Sequence, residues 1–174
     1  IGILVIAGMG IFLSYKKLDA TFYGLDKNTW TGEVDTSEVY ESGRHRIGIF
    51  HSFIKFPSIQ VSLEFTVING LAINGRTSDG LAISLDISYQ YQITKTSVGS
   101  IFDNYGTKYE DIIIKLARDI VRDVSSLFKA IDFFNNRTFI GFEMEKQMRD
   151  LIGNQTFIDI PGFQLRAVDL PDTF

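Results

Sequence analysis

The sequence predicts an α+β fold behind a membrane-spanning segment, and three observations predict it. Residues 81–93 alternate apolar and polar side chains throughout, the period of a strand with one buried and one wet face. Residues 109–128 then repeat their apolar positions at helical spacing. Residues 1–13 read IGILVIAGMGIFL, with no charged or strongly polar side chain. Strands followed by helices, with a last strand returning to the sheet, make the α+β class. The expected organisation is the end of a transmembrane helix at 1–15, a linker and membrane-proximal segment at 16–42, and the folded domain at 43–174, with a mainly antiparallel sheet and two packed helices.

At the N-terminus three readings compete. As a helix, 1–13 would span about 20 Å, short of the roughly 30 Å hydrocarbon core. It could be the end of a transmembrane helix, the apolar region of a signal peptide, or a buried core helix. The first is favoured. The chain opens on Ile rather than Met, which predicts that it begins inside a longer protein, and Tyr15, Lys16 and Lys17 form the edge that a helix leaving a bilayer shows. No small-residue cleavage site follows Leu13. The side chains expected in lipid are Ile1, Ile3, Leu4, Val5, Ile6, Ile11, Phe12 and Leu13.

Between Ser14 and Ser42 the chain is mixed and polar, with Gly24 and Gly32 read as turns, and it reads as a linker with short extended pieces. Residues 43–50 (GRHRIGIF) read as a strand, and His51 to Pro57 as a Phe-rich loop closed by proline. Ile59, Val61, Leu63, Phe65 and Val67 alternate on one face of a further strand. Asn69-Gly70, Asn74-Gly75 and Ser78-Asp79-Gly80 are turn signals. In the first helix the stripe is Ile113, Leu116, Ala117, Ile120, Val124, Leu127 and Phe128. A second helix is expected from about Thr138, capped by Asn135 or Asn136. Its stripe is Ile140 or Phe142, then Met144, Met148, Leu151 and Ile152, and Gly153 and Asn154 end it. Phe163, Leu165 and Ala167 alternate in a final strand.

Composition narrows the chemistry. The chain has 174 residues, 45% of them hydrophobic, and a net charge of −4, which argues for one folded domain and against a nucleic-acid binder. It has no cysteine, so disulfide scaffolds and Cys-ligated zinc are excluded. Its two histidines, His45 and His51, flank a predicted strand and read more ordinarily as surface or loop residues than as a metal or catalytic pair. No phosphate-binding loop, nucleophile elbow or zinc motif occurs, and no cofactor is expected. Asn136-Arg137-Thr138 and Asn154-Gln155-Thr156 are glycosylation sequons, and Asn136 and Asn154 become acceptors only on an exoplasmic or lumenal face.

Several local motifs, in order, resemble the SPFH (band 7) family of stomatins, prohibitins and flotillins. Arg76 to Gly80 leads into the long strand LAISLDISYQYQI, then VGSIFDNYG (98–106) and a helix beginning Tyr109-Glu110. AIDFFNNRTFI (130–140) is similar to the stretch between the family's two helices, including Arg137 at the start of the second. Residues 162–170 resemble its last strand, and 40–57 (YESGRHRIGIFHSFIKFP) its glycine-containing strand and hydrophobic loop. The likeness covers about residues 20 to 174 and is greatest to band 7 proteins of unicellular eukaryotes. The family's long coiled-coil helix either lies beyond Phe174 or is lacking.

The resemblance implies a non-enzymatic, single-pass membrane scaffold. Such a protein assembles with itself or related band 7 subunits into rings or cages, and organises a microdomain or shelters other membrane proteins. The alternative is an accessory subunit of a large membrane assembly such as a respiratory complex. A plasma or endomembrane location is favoured, with the mitochondrial inner membrane as the other. Phe50, Phe53, Ile54 and Phe56 are expected as a second bilayer contact. Asp111, Lys115, Arg118, Asp119 and Arg122, on the wet side of the first helix, are expected at a contact between copies.

The anchor expectation has a direct check. Ile6→Arg should raise the cost of inserting residues 1–13 by about 2.5–3.5 kcal/mol, read as a lower inserted fraction in a membrane-insertion assay.

Overall fold

Backbone pairing turns the polar first third of the chain into strands. The structure, a computed structural model, describes residues 14–170, so the expected membrane segment at 1–13 lies outside the described residues. Nine strands are described: β1 (Tyr15–Leu18), β2 (Phe22–Asn28), β3 (Val34–Tyr40), β4 (Gly43–Arg46), β5 (His51–Pro57), β6 (Val61–Phe65), β7 (Ile73–Arg76), β8 (Ala82–Gln92) and β9 (Asp159–Asp169). The helices are α1 (Val98–Tyr105), α2 (Tyr109–Ser125), α3 (Asp132–Asn135) and α4 (Arg137–Thr156). No helix among the described residues is long and apolar enough to cross a membrane.

The chain divides into two compact units, Ile1–Ile59 with Ile93–Gly106, and Gln60–Gln92 with Thr107–Phe174. In the first, β3, β2 and β5 form an antiparallel sheet in that order, and β1 pairs antiparallel with β4 as a ribbon. The expectation of a linker at 16–42 is therefore corrected. Its apolar residues are too sparse to read as strands, yet Leu18 and Leu25 are fully buried. They share the core with Phe56, Val98 and Ile101. Helix α1 can lie on β3 because residue 99 is glycine: a Cβ there would sit 2.6 Å from the Thr36 carbonyl oxygen.

In the second unit β8 is the central strand. One edge pairs with β6 and then β7, the other with β9, all antiparallel. The alternation predicted from the sequence holds. Ile83, Leu85, Ile87, Tyr89 and Tyr91 are buried, while the intervening side chains are at least partly exposed. Phe65 stacks on Tyr89 with centroids 5.9 Å apart, and Tyr91 donates its hydroxyl to Glu110 at 2.9 Å. Burial of the ring, with Glu110 alongside, raises the Tyr91 phenol above its usual range and keeps it neutral. Helices α2 and α4 bury Ile113, Ala117, Ile120, Val124, Ile140, Met144, Met148 and Ile152.

Several details differ from the sequence reading. Strand β9 changes its inward parity at two register shifts, opposite Asp86/Ile87 and Gln90/Gln92. Leu165 therefore faces inward, but so does Val168 in place of Ala167, because an extra residue in a bulge flips every side chain beyond it. Helix α4 runs past Gly153 and Asn154 to Thr156 and ends at Phe157, whose φ of 60° is left-handed. Thr156 is buried and donates its hydroxyl to the Ile152 carbonyl at 2.7 Å, which keeps this last turn on the core. The inward phase of α4 begins at Ile140, so Phe142 and Leu151 are exposed.

The two faces of β8 predict opposite responses to the same charge. Leu85→Asp should exceed the about 2–5 kcal/mol of a buried leucine truncation, because it also buries an unpaired carboxylate. Ser84→Asp should stay within about 0.5 kcal/mol, as surface changes do. Urea unfolding followed by circular dichroism checks both.

Candidate membrane-contact surface

Residues 51–57, expected to be a hydrophobic loop, are strand β5, paired along its length with β2. The strand is an edge, where Pro57 can close it without breaking a ladder on the open side. Phe56 is 0% exposed and meets Phe102 edge-on at 6.4 Å, so this expected contact residue belongs to the core. Phe53 is half-buried, and its ring lies over Gly24. A Cβ at Gly24 would be 2.7 Å from a Phe53 ring carbon, so the strand carries glycine there to admit the ring. Tyr40 and His45 flank the same ring at 5.3 and 6.0 Å. Ile54 is also half-buried. Of the four apolar residues expected at the bilayer, Phe50 alone is well exposed, at 60%.

Phe50 stands in the short turn between β4 and β5, and this turn is tied to the β2–β3 hairpin. The Phe50 carbonyl accepts the Thr29 backbone N–H at 2.7 Å and the Thr29 hydroxyl at 2.8 Å. The next residue, Trp30, is 82% exposed, and its ring lies 6.0 Å from that of Phe50. The Asn28 side chain shapes the hairpin by accepting the N–H groups of Trp30 and Thr31. Ile49 is exposed beside Phe50. The result is a tip of three large apolar side chains, Trp30, Ile49 and Phe50. At its base the Ser14 carbonyl accepts the N–H groups of Ile47 and Gly48, at 3.1 and 3.2 Å. Ser14 directly follows the apolar run 1–13.

Trp30 was not singled out from the sequence. The signal was the chain's one tryptophan, placed in a Thr-Trp-Thr-Gly turn of otherwise polar character. A lone aromatic in a turn has no core period to obey.

The histidines are held apart by separate partners. His45 Nε2 meets the Glu41 carbonyl at 2.8 Å, and His51 Nδ1 meets Asp26 Oδ1 at 2.7 Å. Tyr40, beside His45, is pushed up to about 12 by burial and by the Glu38 carboxylate that accepts its hydroxyl. Asp19 is held below the usual carboxylate range by its hydrogen bond from Lys55, at 3.2 Å, and by Lys17.

In the second unit, the charged residues expected between copies are partly engaged within their own fold. Arg118 is half-buried with its guanidinium 5.1 Å from the centre of the Phe65 ring, which takes it off the wet face of α2. Arg122 donates to the Asn74 carbonyl at 3.1 Å and pairs with Asp119 at 3.7 Å. Asp111 and Lys115 remain exposed. Leu127, read from spacing as part of the inward stripe, is exposed because α2 ends at Ser125, and Ile131, Phe134, Phe139 and Phe142 are exposed as well.

The remaining motifs take structural roles. Asp79 accepts the Thr77 hydroxyl and the Ala130 N–H, and the Phe128 carbonyl accepts the Ser78 N–H at 2.8 Å. The turn before β8 therefore ties the β7–β8 hairpin to the chain leaving α2. The Thr77 hydroxyl holds the Asp79 carboxyl low. Arg137 donates to the carbonyls of Leu165 and Arg166, beside a bulge of β9. Asn136 precedes α4 as expected, but its side chain makes no capping hydrogen bond. Asn136 and Asn154 are both exposed, while the Thr156 of the second sequon is buried.

These features define an α+β protein with an apolar tip beside the point where an apolar segment joins the fold. The model of the SPFH domain / Band 7 family matches residues 16–174, and the chain belongs to that family. Its members are generally membrane-associated, oligomer-forming scaffolds rather than enzymes. Comparison with curated proteins finds none that matches.

The division between core and tip can be measured. Phe56→Ala should cost about 3–5 kcal/mol, as deleting a buried phenylalanine does, whereas Phe50→Ala should change stability by less than about 0.5 kcal/mol. Equilibrium denaturation of the two variants reads the difference.

Proposed function

We propose that this chain is a membrane-anchored scaffold held to the bilayer at two places, the apolar run 1–13 and the tip Trp30, Ile49 and Phe50. The supporting observation is the pair of hydrogen bonds from Ile47 and Gly48 to the Ser14 carbonyl. They bind the turn that carries Phe50 to the residue where the apolar run ends. Large apolar side chains exposed together in water favour association, and Trp in particular suits the membrane interface, where its ring sits at headgroup depth. Phe50 thus keeps the role expected from the sequence, and Trp30 and Ile49 replace Phe53, Ile54 and Phe56.

The scaffold reading also requires copies to associate, into rings or cages that enclose a membrane patch or shelter other membrane proteins. Exposed Phe139 and Phe142, one helical turn apart on α4, support this better than the charged face of α2, where Arg118 and Arg122 already have partners. Native mass spectrometry of the full chain in detergent should give a defined multimer. Phe139→Ser/Phe142→Ser should shift it toward monomer with its thermal midpoint kept within a few degrees. A strictly monomeric parent protein would overturn the scaffold reading.

A further inference from the structure

We propose that the outer face of the β1–β4 ribbon is a binding site for anionic lipid headgroups. The inference rests on the proposed seating of the Trp30–Phe50 tip at the bilayer.

The ribbon register pairs Tyr15 with Arg46, Lys16 with His45, Lys17 with Arg44 and Leu18 with Gly43. Directly opposed residues of an antiparallel pair share a face, and alternate residues return to it. One face of the ribbon therefore carries Leu18, which is buried, His45, which packs on Tyr40, and the half-buried Lys16. The other carries Tyr15, Lys17, Arg44 and Arg46, all exposed. Three cations and a tyrosine thus share one face of a ribbon of two four-residue strands, in a chain whose net charge is −4.

This arrangement opposes elementary pairing preferences. Like charges directly across a ladder repel, and Lys17 and Arg44 are directly opposed. Lys17 has a carboxylate nearby, Asp19 at 3.6 Å, and Asp19 is shared with Lys55. The side chains of Arg44 and Arg46 make no hydrogen bond or ion pair with any described residue. Tyr15, Lys17 and Arg44 of this face, together with Lys16 of the other, line a depression of about 410 Å³. Such a cluster is stabilised by an anion from outside the chain.

The position of the ribbon selects the source of that anion. Its Tyr15/Arg46 end adjoins Ser14 on one strand and Ile47 on the other, and those two residues are bonded to each other. The cations begin where the apolar run ends and where the turn to Phe50 starts. With the tip at the interface, they lie at the depth of lipid phosphates and carboxylates, where basic side chains are drawn to anionic leaflets. Arginine there can also grip a phosphate through two N–H groups at once.

The chain's one tryptophan, Trp30, reports the test. The full-length chain is reconstituted into vesicles of phosphatidylcholine, with or without phosphatidylserine, whose acyl chains carry bromine as a quencher. Trp30 quenching should be stronger in the phosphatidylserine vesicles and should weaken as salt is raised. Arg44→Gln/Arg46→Gln should reduce the docking equilibrium on phosphatidylserine by roughly fivefold per cation removed, down to the phosphatidylcholine level. Lys17→Gln should act in the same direction, and Arg44→Lys/Arg46→Lys should restore most of the effect. Inorganic phosphate at constant ionic strength should leave the quenching unchanged. Release by phosphate would show a soluble-anion site and overturn the lipid assignment. Equal quenching of the parent protein in both vesicles would overturn headgroup selection while leaving the membrane seating intact. No quenching in either would overturn that seating, and the inference with it.

Discussion

The second unit depends on β8 making two ladders while burying only one face. Its backbone is hydrogen-bonded to β6 and β7 on one edge and to β9 on the other. Its odd-numbered side chains must therefore all reach the same side, where α2 and α4 lie. A one-residue slip would turn Leu85, Ile87 and Tyr89 into water and Asp86, Ser88 and Gln90 into the core. That threat fixes the register of everything paired to it. It also explains why the irregularities fall elsewhere. The bulges are in β9, at the sheet's edge, where an extra residue disturbs one ladder rather than two. Arg137 supplies donors to the carbonyls beside one of them.

The first unit has no such strand and relies on close approaches. Gly24 lets the Phe53 ring lie on β2, and Gly99 lets α1 reach the Thr36 carbonyl. Both depend on a missing Cβ, which a hydrophobic pattern cannot register. They leave the aromatic residues of this unit divided between two tasks. Phe53 and Phe56 close the sheet and its core, while Trp30 and Phe50 stand at its tip. The division follows from strand parity and from the turn at 47–50, not from residue type. In the proposed function, the core aromatics hold the tip in place and the tip aromatics meet lipid.

The same distinction runs through the charged residues. On α2, Arg118 and Arg122 look from spacing like a solvated face, yet one stacks on Phe65 and the other holds the Asn74 carbonyl. On the β1–β4 ribbon, Lys17, Arg44 and Arg46 are distant in sequence, and pairing brings them onto one face. An ion that finds a partner inside its unit adds rigidity. Arg44 and Arg46, whose side chains find none among the described residues, form part of the surface proposed for lipid headgroups.

What the sequence determined by itself is what depends on local periodicity. The α+β class, the long strand with its inward odd positions, the two helices and their stripes of Ile113 to Val124 and Ile140 to Ile152 were all legible, and so was membership of the band 7 family. The structural readings rest on a repeat of two or about 3.6 residues that a buried face imposes on the chain, and the family likeness rests on the order of its local motifs. Tertiary structure decided the rest. It made strands of the polar segment 16–42, because these short strands bury too few residues for the period to show. It moved Phe56 from an expected lipid contact into the core and brought Trp30 beside Phe50, through pairing between segments distant in sequence, such as Tyr23 with Phe56 and Thr29 with Phe50. It also set Lys17 against Arg44 across a ladder. Register between distant strands is a cooperative outcome of packing and backbone hydrogen bonding, and no local stretch of sequence carries it.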